Sequence, residues 1–107
     1  MENKANKLYW SSIEYQYEKN NPESKKSKGG FVYVFLVAFD VQDALKKILY
    51  ELRLLEIKAI EIEFISLYDL KTEWDTDQQK AKVLSICKEV QKTSDVIFDT
   101  FFSYKTE

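Results

Sequence analysis

A chain of 107 residues is close to the commonest size of a single domain, and residues 1–107 are expected to form one domain with its own core. It carries 18 acidic and 16 basic residues and no histidine, which excludes catalytic and zinc sites that need an imidazole. The net charge of −2 argues against a protein that binds nucleic acid mainly through its phosphates.

Neither a targeting segment nor a membrane span is predicted. The start, MENKANK, is not followed by a long apolar segment. The longest apolar run, residues 31–39, is shorter than the about 20 residues that a membrane helix needs. The single cysteine, Cys87, cannot form an internal disulfide. These features predict a soluble, cytoplasmic protein.

The first half of the chain reads as two strands followed by a helix. Residues 7–18 are rich in aromatic and β-favouring side chains, which predicts a strand. Residues 20–30 collect Asn, Pro, Ser, Lys and two Gly, the composition of a flexible, basic hairpin loop. Residues 31–39 are apolar throughout, which is typical of a central strand. After Asp40, a predicted N-cap, an apolar stripe at helical spacing consists of Val41, Ala44, Leu45, Ile48, Leu49, Leu52 and Leu55.

The second half adds a strand, a helix and a last strand. Residues 57–68 predict a strand with Ile60, Ile62 and Phe64 on one face and Glu61 and Glu63 on the other. A capping box then starts a helix that runs to about residue 92, and an alternating pattern predicts a strand over residues 96–104. The cap residues are Thr76 and Gln79, and the inward positions of the helix are Val83, Leu84, Cys87 and Val90.

The predicted fold class is α+β, with the order ββαβαβ. If both strand-helix-strand connections are right-handed and progress in one direction, the two helices share one face of a four-stranded sheet. The expected architecture is therefore a two-layer sandwich with two helices on one face. The other face, which carries several of the 7 Phe and 7 Tyr residues, is then left open to a partner or a second copy.

No residue pattern predicts catalysis, a cofactor or a metal ion. Glu61 with Glu63, or Asp75 with Asp77, could pair as acid and base, but such acids more often form a solvated strand face or complement a helix N-terminus. The acidic segment lacks the glycine and terminal glutamate of a calcium loop. Cys87 lies on the apolar stripe of a helix, as a packed thiol does. The sequence therefore predicts a protein that is not an enzyme.

Charge is concentrated in one segment of the chain. Residues 61–77 hold six acidic residues against one lysine, a local charge of −5, whereas residues 1–30 hold six lysines and four glutamates. Acidic residues interleaved with large aromatics are typical of protein interfaces that steer toward a basic partner. Trp74 could equally pack back on the following helix. The predicted partner-binding residues are Glu61, Glu63, Tyr68, Asp69, Glu73, Trp74, Asp75 and Asp77.

The layout resembles a known family. The tyrosine-rich first strand, FVYVFLVAF leading into DVQDALKKI, the segment TEWDTDQQ and the closing VIFDTFFSYKTE are similar to small bacterial immunity proteins. These are the antidotes encoded beside polymorphic toxins or toxins of contact-dependent growth inhibition. The resemblance implies a non-enzymatic protein that binds and neutralises a cognate toxin domain, often a nuclease with a basic active-site cleft.

An alternative of a different class stays open at this point. The aromatic residues of an uncovered sheet face could instead be buried in a homodimer, as in a homo-oligomeric module that binds a small molecule or has a regulatory role. Nucleic acid is an unlikely partner on charge, although aromatic residues can stack on single-stranded bases.

Overall fold

A computed structural model describes residues 6–99 and 102–103 of the chain, and it confirms the α+β class and the predicted order of elements. The strands are β1 (Lys7–Tyr17), β2 (Gly29–Ala38) and β3 (Ile57–Leu67), and the last predicted strand forms two short segments, β4 (Ile97–Phe98) and β5 (Phe102–Ser103). The helices are α1 (Val41–Leu54) and α2 (Asp77–Thr93).

The strands form one antiparallel sheet in the order β3-β1-β2-β4, and β5 also pairs with β2. The last two segments share one edge, so the sheet has four strand positions. β1 lies between its two long neighbours, with Tyr9 opposite Leu36 on β2 and Leu67 on β3. β3 forms the other edge.

Helix α1 covers one face of this sheet. Its N-cap is Asp40, whose carboxylate accepts a hydrogen bond from the N–H of Asp43, as predicted. Its buried stripe is narrower than predicted, because Val41, Leu49 and Leu55 are exposed. The side chains that form this core are aliphatic apart from two tyrosines: Tyr9, Ile13, Tyr15, Val32, Val34, Leu36, Ala38, Ala44, Ile48, Leu52 and Ile57.

Helix α2 covers the opposite face. Successive side chains of a strand point to opposite faces, and α2 packs on the positions that alternate with those under α1. Val83, Cys87 and Val90 are its buried residues, whereas Leu84, which was predicted to point inward, is exposed. The core under α2 consists of Leu8, Phe35, Val37, Tyr68, Val83, Cys87 and Val90, with Trp10, Tyr33, Trp74, Ile86 and Ile97 packed against it.

The two helices therefore sandwich the sheet, and this replaces the expected two-layer arrangement with both helices on one face. The prediction applied the handedness of parallel crossovers to both connections. β2 and β3 are both antiparallel to β1 and thus parallel to each other, but β4 is antiparallel to β2 and hence to β3. The connection through α2 is not a parallel crossover, so the handedness rule does not determine which face of the sheet α2 covers. The aromatic face that was expected to be open is largely covered by α2.

Two irregularities in β3 change which of its side chains face inward. The pairing with β1 shifts register between Ser12 and Ile13 and again between Glu14 and Tyr15, so that two residues of β3 are extra. The predicted alternation is therefore broken. Ile62 packs under α1, Ile60 is exposed, and Phe64 lies on the other face against Trp10.

The connection between β1 and β2 is more structured than its composition predicts. A short 3-10 helix spans Pro22–Lys25, and the buried side chain of Asn21 caps it. The Asn21 amide also donates to the carbonyls of Leu55 and Glu56, which ties this loop to the end of α1. β2 begins at Gly29, where a Cβ would overlap the carbonyl oxygen of Tyr15.

The last strand can be compared with its prediction only in part. Val96 and Phe98 pack under α1 while Ile97 packs under α2, so the predicted alternation is confirmed there. The predicted positions Thr100, Phe101 and Tyr104 lie outside the described residues. Within the described part of the chain, no helix is long and apolar enough to cross a membrane.

Candidate functional site

An aromatic cluster on the α2 side of the sheet packs against the segment that was predicted to bind a partner. Trp10 of β1 is its centre, with ring centroids 4.9 Å from Phe64 and 5.1 Å from Tyr68. The remaining rings lie 5.6 to 6.1 Å from Trp10 and belong to Tyr33, Phe35 and Trp74. Edge-to-face and offset contacts at these distances stabilise the cluster beyond simple burial.

Tyr68 and Trp74, two of the eight predicted partner-binding residues, pack within this cluster. Tyr68 is 7% exposed, and its hydroxyl accepts a hydrogen bond of 2.8 Å from the indole N–H of Trp74. Trp74 is half-buried and lies 5.9 Å from the ring of Tyr33. Trp74 is thus packed, but its ring contacts are with the sheet residues Trp10 and Tyr33 and not with the following helix as the packing interpretation expected, and one part of the indole stays accessible.

The segment between β3 and α2 presents acidic side chains from a fixed backbone. The Asp69 carboxylate accepts from the N–H of Lys71 at 2.8 Å, and its carbonyl accepts from the N–H and the hydroxyl of Thr72, which makes a tight turn. Glu73 and Asp75 follow and are exposed. Hydrogen bonding at both ends and the buried Tyr68 therefore hold the backbone that carries these exposed carboxylates.

The start of α2 behaves as the capping pattern predicts. The Thr76 hydroxyl accepts from the N–H of Gln79 at 3.0 Å, and Asp77 lies exposed in the first turn. A carboxylate at this position is favoured by the helix dipole. Asp77 therefore contributes to the local negative charge and has an ordinary structural role.

Glu61 and Glu63 lie on β3, on the side of the sheet that carries α2. Glu61 is directly opposite Glu14 in the ladder, so the two side chains share a face. One carboxylate oxygen of Glu63 accepts a 2.6 Å hydrogen bond from the hydroxyl of Ser12, which is nearly buried. The two glutamates are thus neighbours on the half of this face beyond the aromatic cluster.

Six of the predicted residues define what we call the acidic surface: Glu61, Glu63, Asp69, Glu73, Asp75 and Asp77. All six are exposed. Within the described residues, the ion pairs join Lys26 to Glu23, Lys47 to Asp43 and Lys82 to Asp99, so none involves the acidic surface. The negative charge predicted from the sequence is therefore displayed to solvent, and no basic side chain of the described residues forms an ion pair with it.

A cleft of about 370 Å³ connects Glu63 to the first turn of α2. Its walls come from three strands and one helix: Ser12, Phe31, Val32, Tyr33, Glu63 and Gln79. Among these, only Glu63 is one of the eight predicted partner-binding residues. The position of Ser12 beside Glu63 depends on the pairing of β1 with β3, which no local pattern encodes.

A second groove, of about 570 Å³, lies between α2 and Leu70 and has Cys87 among its lining residues. Burial raises the pKa of the Cys87 thiol to about 11, so the reactive thiolate is scarce near neutral pH. Among the residues described, no group of three or more acidic, histidine or cysteine side chains is arranged to hold a metal ion.

Comparison with known proteins gives no relative for this chain. No protein-family model, no curated protein and no solved structure matches it.

Proposed function

We propose that this chain is an immunity protein that binds and neutralises a cognate toxin domain through the acidic surface. The observation that carries the proposal is that all six carboxylates of this surface are exposed, while none forms an ion pair within the described residues. Uncompensated charge on one side of a protein stabilises the fold very little. It does accelerate and orient the capture of a partner of opposite charge.

The partner that fits this surface is a protein with a basic binding site, such as the active-site cleft of a nuclease. A nuclease cleft is shaped to hold phosphates, and carboxylates fixed at similar positions can occupy it. The turn at Asp69 and the cap at Thr76 hold the acidic segment between two rigid elements. A fixed arrangement reduces the conformational entropy that is lost on binding.

The aromatic cluster has a supporting role in this proposal. The Trp74–Tyr68 hydrogen bond anchors the acidic segment to the sheet, and the accessible part of Trp74 adds apolar contact area next to the charges. Aromatic residues flanked by charges are frequent among the residues that dominate binding energy.

The proposal is tested by co-expressing the chain with the protein encoded next to it and measuring growth rescue and complex formation. The test variant combines Asp69→Asn, Glu73→Gln and Asp75→Asn, which removes three charges and retains acceptor oxygens for the turn at Asp69. We expect the association rate at low salt to fall about tenfold or more, with a smaller loss at high salt.

A matched control removes three charges elsewhere, with Glu18→Gln, Glu51→Gln and Glu56→Gln. Glu18 and Glu56 are joined through their backbones at the opposite end of β3 from Tyr68. This control should bind like the wild type. A neighbour-encoded protein that is harmless and does not bind, or equal losses in both triple variants, would refute the proposed function.

A further inference from the structure

The cleft between Ser12, Glu63 and Gln79 combines features that suit one kind of side chain. Its floor is the sheet, where two cross-strand rows lie side by side on the α2 face. One row runs from Tyr33 through Ser12 to Phe64, and the next runs from Phe31 through Glu14 to Glu61. Helix α2 closes the cleft on one side with Gln79.

The carboxylate of Glu63 is held in place. The Ser12 hydroxyl, which is 8% exposed, donates to its Oε1 atom at 2.6 Å. Among the contacts described, Oε2 has no hydrogen-bond donor and no basic side chain lies in ion-pair range. A fixed carboxylate with one oxygen still available is suited to accept a charge-assisted hydrogen bond from a guest.

The neighbouring charges favour a cation at this place. Glu14 and Glu61 face each other across the ladder, and like charges at directly opposite positions are destabilising. Glu61 and Glu63 are both exposed on β3, so the β3 side of the cleft carries negative charge.

The aromatic walls narrow the choice of cation. Phe31 is 41% exposed and Tyr33 is half-buried, so both present ring surface to the cleft. A guanidinium is planar, stacks on aromatic rings and forms hydrogen bonds along its edge, whereas an ammonium is a compact and strongly hydrated charge. The combination of ring surface and a fixed carboxylate oxygen therefore fits arginine better than lysine.

We propose that this cleft binds an arginine side chain of the partner protein, with Glu63 accepting its N–H groups and Phe31 and Tyr33 contacting its plane. The proposal rests on the proposed function for the identity of the partner, and on the cleft itself for the chemistry of the guest. It adds a specific recognition site to a surface that otherwise acts through long-range charge.

The site is tested directly by titrating the chain with N-acetyl-argininamide while backbone amide resonances are recorded at constant ionic strength. Its uncharged isostere, N-acetyl-citrullinamide, is the control ligand. We expect saturable shifts at Ser12, Tyr33 and Gln79 with the arginine compound and none with citrulline. Absence of shifts, equal shifts with both ligands, or shifts confined to the turn at Asp69 would overturn the proposal.

The test variant is Glu63→Gln, which keeps an oxygen acceptor for the Ser12 hydroxyl and removes the charge. We expect it to weaken argininamide binding about tenfold or more, because hydrogen bonds to charged groups contribute on that scale. Glu89→Gln, at an exposed position of α2 outside the cleft, is the matched control and should leave the titration unchanged. Equal affinity in both variants would overturn the proposal.

The two proposals fail in distinguishable ways. If the toxin domain binds and Glu63→Gln leaves its affinity unchanged, the arginine site is refuted while the acidic surface keeps its role. If argininamide binds in the cleft but the neighbour-encoded protein does not bind the chain, the site is supported and the toxin-neutralising function is refuted.

Discussion

The two faces of the sheet are built from different side chains: one is almost wholly apolar, and the other combines an aromatic cluster with exposed carboxylates. The face under α1 is mainly aliphatic, and its helix packs against β2 and β3. The face under α2 is aromatic at one end, around Trp10, and carries Glu14, Glu61 and Glu63 at the other. The side chains under α1 form an apolar core. The α2 face also carries charged side chains, which add nothing to apolar packing.

This difference separates the residues that maintain the fold from those that are free to bind. The buried core side chains of the α1 face are covered by helix and sheet, and the residues at its margin, such as Tyr17 and Ala59, are half-buried. On the α2 face the aromatic cluster ends where the cleft begins, so the same strands supply a core at one end and an accessible surface at the other. Substitutions on the two faces should therefore change different measurable properties.

The largest expected effects come from the two buried centres. Phe35 under α2 and Ile48 under α1 are both 0% exposed. We expect Phe35→Ala to lower the free energy of unfolding by about 4 kcal/mol and Ile48→Ala by about 3 kcal/mol, because each leaves a cavity. Urea denaturation followed by circular dichroism measures both. A loss below about 1 kcal/mol at either site would show that this face is not a core.

An intermediate effect is expected for Trp74, which joins the aromatic cluster to the acidic segment before α2. Trp74→Ala removes ring contacts with Trp10 and Tyr33 and leaves the Tyr68 hydroxyl without its donor. Because the indole is half-buried, we expect a loss of about 2 kcal/mol in unfolding free energy. The sequence pattern alone suggests Trp74→Ala with Glu73→Lys as a pure binding test, but the packing shows that this pair also weakens the fold.

Trp74→Phe is the control for that prediction. It keeps one aromatic ring in place but removes the indole N–H and part of the ring area, so we expect a smaller loss of about 1 kcal/mol. Equal stability of the Ala and Phe variants would contradict the role of ring packing at this position, and thermal denaturation of the two side by side decides it.

A smaller, pH-dependent effect is expected on the α1 side at Asp43. Its carboxylate accepts from the N–H of Phe39 at 3.0 Å and lies 3.4 Å from Lys47. The backbone hydrogen bond from Phe39 is the main cause that lowers the pKa of Asp43 below its ordinary value of 3.8. We expect Asp43→Ala to cost about 1 kcal/mol near neutral pH.

The sign of the pH dependence follows from that lowered pKa. The folded state favours the charged carboxylate, so its stabilisation is present above the ordinary pKa of 3.8 and is lost as the pH falls through the folded-state value. The gap in unfolding free energy between the wild type and Asp43→Ala should therefore shrink in acid. A gap that stays constant below pH 3.8 would contradict the role of the charge.

The smallest effect, and one of opposite sign, is expected at Glu61. Glu61→Gln removes a like charge directly opposite Glu14, so it should stabilise the fold by about 0.3 kcal/mol at low salt, and less at high salt. Glu73→Gln, in the exposed turn, is the control and should change stability by less. A clear loss of stability in Glu61→Gln would mean that this carboxylate has a structural partner.

The sequence predicted the elements well because each depends on a local pattern. Asp40 and Thr76 cap their helices as expected, and residues 34–38 of the apolar run are buried between the two helices. The placement of the helices was wrong because it depends on whether β4 runs parallel or antiparallel to β3, a long-range property that periodicity does not contain. The assignment of Phe64 was wrong because two register shifts in β3 leave no trace in residue type.

The candidate site was likewise predictable only where it depends on local sequence. The acidic residues were visible as a charge cluster in one segment, and the structure places them exposed and outside the ion pairs of the described residues. The partners of Glu63 were not visible, since Ser12, Tyr33 and Gln79 come from three distant segments that only the folded chain brings together. Tyr68 and Trp74 showed aromatic character in the sequence, but not their mutual hydrogen bond.

The two register shifts of β3 have a consequence for how copies of this chain behave together. β3 is a long strand at the edge of the sheet, and a regular edge of that kind is a template on which another chain can add a strand. Extra residues disturb the spacing of the outward N–H and C=O groups, and Lys58, Glu61 and Glu63 add charge along the same strand. We therefore expect the irregular strand to oppose edge-to-edge aggregation at high protein concentration.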